Sequence, residues 1–479
     1  MERVSVSKYF DLQRSQAELD FVDVDVSGDV RVFVDPTALR LMGTTWSHEC
    51  VSLLQSFFET VLDCIRGGDE DRGKRLLGQL REPNETHLGL SKHESRGRAL
   101  GPESADDVWD ALSESRAVTT GLLEDLEDTI LTVPGIRNDI VSDITTNVIR
   151  DPLIEYTQAA CAEYDVPLVP NVFSGPLWDP HERNWDQDLV SLPMASGRLL
   201  LVPKVIVRRK LTYDVDEYVN RHVIPYLQNE ELRVNSELVQ LLKNGTVRVT
   251  KKSIRAKYGS GKKLAVDQTL QNPRLLEIYR RIKRGTRSEP LDHESLAEVA
   301  DIPEPDWEGI LQKVLGVGRG KKGADEYHKA AGDLLTALFY PDLTSPVHEF
   351  EIHQGRKRID IVYQNTAGRG FFAWVAEHYK APYAVVECKN YKGDPKNPEL
   401  DQISGRFSHT RGEFGILICR ELGDRETFLE RCSDTASDGR GFVIPLDDSD
   451  LEALVKMRQR HDRRGMTTHL KALFDAVVS

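Results

Sequence analysis

The pattern of apolar and polar residues is most regular in the last third of the chain. Residues 347–353 and 356–363 alternate on either side of a Gln-Gly pair, which predicts a β-hairpin. Residues 383–389 (Tyr-Ala-Val-Val-Glu-Cys-Lys) predict a short strand, and residues 414–419 predict a buried one. An amphipathic helix is predicted over residues 323–339. This order of helix, hairpin, strand and strand indicates a mixed α/β region.

The N-terminal two thirds predict a mostly helical α+β region. Residues 17–36 alternate strictly around Ser-Gly-Asp, which predicts a hairpin. Helical periodicity is predicted over residues 37–83, 105–165 and 215–282. Residues 199–208 predict a buried strand.

Charged residues interrupt the predicted strands of the last third. Asp360 lies between Ile359 and Ile361 in the second strand of the hairpin, so it is predicted to face away from the apolar layer. Glu387 and Lys389 are two residues apart in the next strand and therefore share one face. Unpaired charges are costly on a strand fit for burial, so these side chains are candidates for chemistry.

Two carboxylates and a lysine suit metal-assisted hydrolysis of a phosphodiester. Carboxylates bind a hard divalent cation such as Mg²⁺, which keeps several of its waters. The ion polarises the phosphate and lowers the pKa of a bound water. A lysine beside that water can orient it and stabilise developing charge.

The pattern Ile-Asp360 followed by Glu387-Cys388-Lys389 resembles the PD-(D/E)XK nuclease superfamily over residues 320–479. The resemblance implies the restriction-endonuclease-like fold, a mixed sheet flanked by helices. It also implies a catalytic set of Asp360, Glu387, Lys389, Gln402 and Glu326, and for Gln402 and Glu326 a surface or helix-capping role is an equal alternative. Its metal ligands would be Asp360, Glu387, Glu326 and the backbone carbonyl of Cys388, binding Mg²⁺, for which Mn²⁺ can substitute.

This sequence departs from the superfamily pattern in two places. No proline precedes Asp360, and the gap from Asp360 to Glu387 is longer than usual. The additional residues, 365–382, contain Phe371, Phe372 and Trp374 and are predicted to form a short helix over the site.

Length and composition bound the organisation of the chain. Its 479 residues predict two or three domains. The expected division is a region 1–319 for sensing, recognition or oligomerisation, with a sub-boundary near 166–203, and a nuclease domain 320–479. Residues 285–309 are predicted to be a linker. Six scattered cysteines without paired spacing and the lack of a signal peptide predict a cytoplasmic protein, and no apolar run predicts a membrane span.

The formal net charge of −14 disfavours nucleic-acid binding, but its distribution is uneven. Residues 201–290 hold 20 Lys and Arg against 9 Asp and Glu, about +11. The candidate nucleic-acid contacts are Lys251, Lys252, Arg255, Lys257, Lys262 and Lys263, together with Arg319, Lys321 and Lys322 in a glycine-rich loop. A solvated helix face or a contact for an acidic partner explains the first group equally well.

The expected activity is Mg²⁺-dependent endonucleolytic cleavage, of DNA rather than RNA, in restriction or antiviral defence. This biological setting is implied by the resemblance alone. Two alternatives remain: a scaffold subunit that binds nucleic acid or a partner protein, with its nuclease domain silent until it is activated in a complex, and an RNase. The expected partners are nucleic acid and either a second copy of the chain or another protein of a defence system.

Overall fold

The computed structural model describes residues 4–89, 105–285, 289–352 and 357–479. The chain divides into two compact units, an N-terminal unit of residues 1–10 and 24–290 and a C-terminal unit of residues 11–23 and 291–479. The C-terminal unit thus begins before residue 320, where the boundary was predicted, and it includes a segment from the start of the chain.

The C-terminal unit contains a mixed five-stranded sheet with the strand order β13-β12-β11-β10-β9. Its strands are β9 (Leu343–Ile352), β10 (Lys357–Asn365), β11 (Tyr383–Lys389), β12 (Phe414–Cys419) and β13 (Phe442–Leu446). Strand β10 is antiparallel to β9 and β11, while β11, β12 and β13 are parallel to one another. The pairing of β9 with β10 confirms the predicted hairpin strands, and its Gln354-Gly355 turn lies outside the described residues.

Helices cover both faces of this sheet. They are α15 (His293–Ala300), α16 (Trp307–Leu315), α17 (Ala324–Phe339), α18 (Gly370–Tyr379), α19 (Asn397–Ser404), α20 (Arg425–Ser437), α21 (Asp448–Gln459) and α22 (Arg463–Val478). Apolar residues of α16, α17, α18, α21 and α22 form one buried cluster with the sheet, and those of α19 and α20 form another. A strand covered on both faces is apolar on both faces. This explains why β12 and the first half of β11 lack a polar face.

Residues 285–309 are more than the predicted linker, because they contain α15 and the start of α16. Leu296 and Ala300 of α15 are buried, and Trp307 of α16 joins the core of the C-terminal unit. Proline and charge at this point of the sequence therefore mark the connections between short helices.

The segment 11–23 is fixed to the C-terminal unit by polar and apolar contacts. Arg14 Nε donates to both carboxylate oxygens of Asp333 at 3.0 Å. Glu18 Oε1 lies 2.6 Å from Lys313 Nζ. Ala17 is buried in the same cluster as α16 and α17. The segment thus contributes to the core of a unit whose other residues follow about 270 positions later.

The N-terminal unit is mostly helical with short two-stranded sheets. Its helices are α1 (Val6–Tyr9), α2 (Pro36–Met42), α3 (Thr45–Gly67), α4 (Glu70–Leu77), α5 (Ala105–Ser113), α6 (Arg116–Thr119), α7 (Asp128–Thr132), α8 (Asn138–Val148), α9 (Arg150–Glu163), α10 (Val215–Tyr218), α11 (Ile224–Arg233), α12 (Lys251–Tyr258), α13 (Gly261–Gln271) and α14 (Arg274–Gly285). Its strands are β1 (Phe33–Val34), β2 (Val169–Phe173), β3 (Leu177–Asp179), β4 (Asn184–Asp186), β5 (Leu189–Leu192), β6 (Val207–Arg208), β7 (Gln240–Leu241) and β8 (Val247–Arg248).

Two strand predictions in this unit are wrong. Residues 17–36, all of them described, form turns rather than a hairpin, and only β1 is a strand, paired with β6. Residues 199–208 contain a 3₁₀ turn (Lys204–Ile206) and only the two residues of β6 in strand conformation. Residues 199–208 are buried throughout, and most of residues 17–36 are buried. Their apolar residues therefore reflect burial of irregular backbone, which a pattern cannot distinguish from a strand. Within the described residues, no helix has the length and apolarity needed to cross a membrane.

Candidate active site

Strand β11 presents Glu387 and Lys389 on the same face, as predicted. Lys389 Nζ donates to Glu387 Oε2 at 3.1 Å. Cys388, between them, is buried in the cluster on the other side of the sheet. Period-two alternation in a strand is the cause of this arrangement.

Asp360 lies on the neighbouring strand β10 and is hydrogen bonded to the backbone of β11 between Glu387 and Lys389. Ile361 pairs with Val386, so the register sets Asp360 opposite Glu387. Asp360 Oδ2 accepts a hydrogen bond of 2.8 Å from the backbone N–H of Cys388. The interpretation that Ile359 and Ile361 define one apolar layer is wrong, because they belong to different core clusters. Asp360 is partly buried all the same, with 18% of its side chain exposed.

Gln402 of α19 completes a closed set of hydrogen bonds with Glu387 and Lys389. Its Nε2 donates to Glu387 Oε2 at 2.8 Å. Its Oε1 accepts from Lys389 Nζ at 3.2 Å. The structure thus brings together four of the five predicted catalytic residues: Asp360, Glu387, Lys389 and Gln402.

Burial determines the electrostatics of this set. Glu387 is 0% exposed, and burial, reinforced by the charge of Asp360, raises its pKa to about 7 even though Lys389 opposes the shift. Burial alone would lower the pKa of Lys389, but Glu387 and Asp360 outweigh it and the pKa is raised. Lys389 is therefore charged at neutral pH, and Glu387 is close to its titration point.

Arg406 was not identified from the sequence. Its Nε lies 3.6 Å from Glu387 Oε1, within ion-pair distance. Neither atom has a hydrogen-bond partner in the described part of the chain, although both are buried. A buried carboxylate oxygen without a donor is costly. Arg406 lies in the turn that follows α19, and no spacing in the sequence indicated its approach to Glu387.

His328 of α17 is a second residue that the sequence did not reveal. Its Nε2 lies 2.8 Å from the backbone carbonyl oxygen of Cys388, so this nitrogen must be the donor. The same nitrogen is 3.8 Å from Asp360 Oδ2. The carbonyl predicted to be a metal ligand is therefore hydrogen bonded to an imidazole. His328 lies three residues before buried Ala331, at the edge of the apolar face of α17. This position was the only feature of the sequence that indicated a contact between His328 and the sheet.

Glu326 is not brought into this set. It is exposed on the first turn of α17, and it makes no hydrogen bond or ion pair with Asp360, Glu387 or Lys389 within the described residues. In the same part of the chain, no three His, Cys, Asp or Glu side chains form a group that could hold a metal ion. Three carboxylates around one cation are thus not observed.

Two carboxylates still fit a magnesium ion. Mg²⁺ is bound in many proteins by one or two carboxylates and keeps several waters. Asp360 and Glu387 would hold it. Glu387 Oε1, which is buried and has no hydrogen-bond donor among the described residues, is the atom that such an ion would satisfy.

The glycine-rich loop before α17 is joined to the end of β11. Asn390 Nδ2 donates to the carbonyls of Gly318 and Gly320 at 2.9 and 3.1 Å. The Gly320 N–H donates in turn to the Asn390 carbonyl at 2.7 Å. The loop is therefore fixed next to the residue that follows Lys389.

The three basic side chains of this loop differ in their contacts. Arg319 forms an ion pair of 2.6 Å with Glu421. Lys321 and Lys322 are exposed. These two lysines carry the loop's positive charge to the solvent beside the candidate site.

Several basic residues of the N-terminal unit bind other parts of the same unit. Lys262 donates to the carbonyls of Thr129, Val133 and Ile136, and the two shorter distances are 2.6 and 2.7 Å. Burial lowers the pKa of Lys262 to about 8. The ammonium group of Lys262 thus binds the end of α7, which gives this lysine a structural role beside its predicted contact with nucleic acid.

Other members of the predicted basic cluster also have internal partners. Lys257 pairs with Glu231 at 2.7 Å, and Arg255 donates to Asn220 Oδ1 at 2.6 Å. Lys251 contacts the Asn220 carbonyl at 3.4 Å. Lys252 and Lys263 are exposed. The dense basic run on α12 and α13 is thus partly a set of structural contacts.

A polar cavity of about 410 Å³ lies within the N-terminal unit, and no motif indicated it. Its lining includes Asp29, Glu85, Arg150 and Arg198. Arg150 is buried and paired with Glu85. Burial, together with the nearby charge of Glu82, raises the pKa of Asp29 to about 6. Acidic and basic groups are balanced there, so the lining does not favour one charge of ligand.

Comparison with known proteins gives one match. Residues 11–214 match the family DUF8370, described as a domain of unknown function. No curated protein and no solved structure matches the chain.

Proposed function

We propose that the C-terminal unit is a metal-dependent nuclease that hydrolyses phosphodiester bonds. The observation that supports this most is the meeting of Asp360, Glu387 and Lys389, from adjoining strands, with Gln402. The mixed sheet with helices on both faces agrees with a restriction-endonuclease-like fold, which forms part of the proposal. The proposed cofactor is Mg²⁺, with Mn²⁺ as a substitute.

The residues of the chain have separate tasks in this proposal. Bound Mg²⁺ would polarise the scissile phosphate and lower the pKa of a water. Asp360 is oriented by the Cys388 N–H and Glu387 by Gln402, so both carboxylates are held before the ion binds. Lys389 remains charged and offers an ammonium group to orient the attacking water and stabilise the phosphorane.

Glu387 couples metal binding to a proton. Its pKa of about 7 means that a substantial fraction is protonated at neutral pH. A cation would bind the deprotonated carboxylate, so its binding would release a proton and become tighter as the pH rises. Activity should therefore increase with pH across neutrality.

DNA is the preferred substrate in this proposal, and restriction or antiviral defence in the cytoplasm is the preferred setting. These two points come from the resemblance to the PD-(D/E)XK superfamily. Lys321 and Lys322 provide exposed positive charge next to the site, which a phosphate backbone of either nucleic acid would use.

A silent or binding-only subunit is the second candidate. The hydrogen bond from His328 to the Cys388 carbonyl supports it, since this contact occupies an oxygen expected to face the metal. The net charge of −14 also opposes binding of polyanions. In this case, cleavage would require a partner or a second copy of the chain that displaces His328.

The test uses the purified full chain with supercoiled DNA, single-stranded DNA and RNA, with Mg²⁺, Mn²⁺ or EDTA. Cleavage should need the metal and should be lost in Lys389→Ala, while Lys456→Ala, on the exposed side of α21, should cleave normally. Undiminished cleavage by Lys389→Ala would reject the site.

Calorimetric titration with Mn²⁺ distinguishes a silent nuclease from a pure binder. The chain should bind Mn²⁺, and Asp360→Asn should weaken that binding, whether or not cleavage is seen. The asparagine can still accept the hydrogen bond from the Cys388 N–H, so the fold should be retained. Equal Mn²⁺ binding by the variant would remove the metal site.

A further inference from the structure

We infer that the C-terminal unit has a second ligand site, a cavity that takes a nucleotide with its phosphate on arginines and its base on apolar side chains. The cavity measures about 650 Å³ and lies between the end of α17, the start of α18 and the start of α22. Small-molecule sites are commonly about 300–1,000 Å³. The inference does not depend on the proposed nuclease activity.

Topology separates this cavity from the candidate active site. Strand β10 runs from Asp360 towards Asn365, and the cavity is lined by residues just after its end, Arg369 to Phe372. Five residues of strand span roughly 16 Å. The predicted position of α18 over the active site is therefore wrong. The helix follows the C-terminal end of β10, at the end of the strands opposite to Asp360, and packs on α22 through Phe371 and Phe474.

The charge of the lining favours an anion. Four arginines contribute to it, against a single carboxylate, Asp342; the arginines are Arg369, Arg458, Arg463 and Arg464. In the described part of the chain, no carboxylate forms an ion pair with Arg463 or Arg464, although Asp292 is close enough to interact with the charge of Arg463. Guanidinium groups bind phosphate in a bidentate manner.

The positive charge of Arg458 is destabilised by its position in this lining. It is 7% exposed and donates to the carbonyl of Leu338 at 2.9 Å and to that of Tyr340. Burial lowers its pKa to about 10, and Arg463 adds to this effect, while Asp342, Glu294 and Asp292 oppose it. A bound anion would offset the repulsion between Arg458 and Arg463.

The rest of the lining is apolar and partly aromatic. Phe339, Phe371 and Phe372 are buried, and the ring of Phe372 contacts the other two; Met466 and Leu470 lie on the α22 side. A purely inorganic anion would leave this surface unused. Arginines at the rim with an apolar floor fit a ligand that carries both a phosphate and a flat hydrophobic ring.

Calorimetry on the full chain with AMP, adenosine and inorganic phosphate tests the inference. AMP should bind, and adenosine and phosphate should each bind at least about tenfold more weakly than AMP. Arg463→Glu combined with Arg464→Glu should weaken AMP binding at least about tenfold. Arg460→Glu, an exposed charge reversal on the same connection that does not line the cavity, should change it less than about twofold.

Two further variants localise the binding. Thr468→Trp should obstruct the cavity without altering its charge, and should also weaken AMP binding. Lys389→Ala should leave AMP binding unchanged, which excludes the candidate active site as the place of binding. AMP that fails to bind at millimolar concentration, or that binds the double arginine variant as well as the parent, would overturn the inference. Thermal unfolding without ligand verifies that each variant is folded.

Discussion

Charged side chains serve different purposes in strand β11 of the C-terminal unit and in helices α12 and α13 of the N-terminal unit. Glu387 and Lys389 interrupt a buried strand and lie with Asp360 and Gln402, and Glu387 Oε1 has no hydrogen-bond partner in the part of the chain that the structure describes. On the helices, the ammonium groups of Lys257 and Lys262 donate to acceptors within the N-terminal unit. A dense run of charge thus says less about a candidate site than a charge placed where burial makes it costly.

The largest expected effect compares two carboxylates of the proposed metal set. Asp360→Asn should lower the rate of Mg²⁺-dependent cleavage by at least about 100-fold, because it removes a charge that would bind the ion. Glu326→Gln should stay within about twofold of the parent, because Glu326 is exposed and separate from the set. Initial rates on one DNA substrate measure both. Equal losses in the two variants would show that α17 moves to bring Glu326 to the metal.

A smaller effect concerns stability in the N-terminal unit. Lys262→Met should lower the free energy of unfolding by about 2 kcal/mol, since three carbonyls at the end of α7 lose a charged donor. Lys263→Met, at the exposed neighbouring position, should change it by less than about 0.5 kcal/mol. Urea denaturation followed by tryptophan fluorescence measures the pair. If Lys262→Met is as stable as the parent and binds DNA more weakly, Lys262 belongs with the nucleic-acid contacts after all.

The pH dependence of stability tests the internal carboxyls of the same unit. The pKa of Asp29 rises from its usual 3.8 to about 6 on folding, so the folded state holds the proton between these values and the unfolded state does not. Stability should therefore fall as the pH rises through this window, by roughly 1–2 kcal/mol given the partial exposure of Asp29. Asp29→Asn should flatten this part of the profile, and Asp186→Asn, an exposed control, should not. A profile unchanged by Asp29→Asn would contradict the assignment.

The smallest effect identifies which cations touch nucleic acid. In the inactive Asp360→Asn background, Lys321→Gln with Lys322→Gln should weaken DNA binding several-fold and reduce the slope of log K against log salt by about 0.9 for each phosphate that is no longer neutralised. Lys251→Gln with Lys252→Gln should weaken DNA binding less, because the basic residues of α12 are equally well explained as a solvated helix face that does not contact DNA. Fluorescence anisotropy at several salt concentrations measures both. The reverse order would transfer DNA binding to α12.

The meeting of Asp360, Glu387 and Lys389 was predictable because a strand has a period of two and a hairpin fixes register over a few residues. Gln402 was predictable only through the superfamily resemblance. His328 and Arg406 were missed because their partners are far away in sequence, at backbone or carboxylate atoms that no spacing indicates. The internal acceptors of Lys262 were missed for the same reason. Alternation also failed in residues 17–36, where both sides of an irregular segment are buried.

The segment 11–23 imposes an order of events on protein synthesis. It leaves the ribosome some 300 residues before Asp333 and Lys313, which bind Arg14 and Glu18. The C-terminal unit therefore cannot complete its fold during translation of the middle of the chain. A fragment expressed from Leu291 onward would lack Ala17 and both ion pairs, and we expect it to need the missing peptide added in trans to become fully stable.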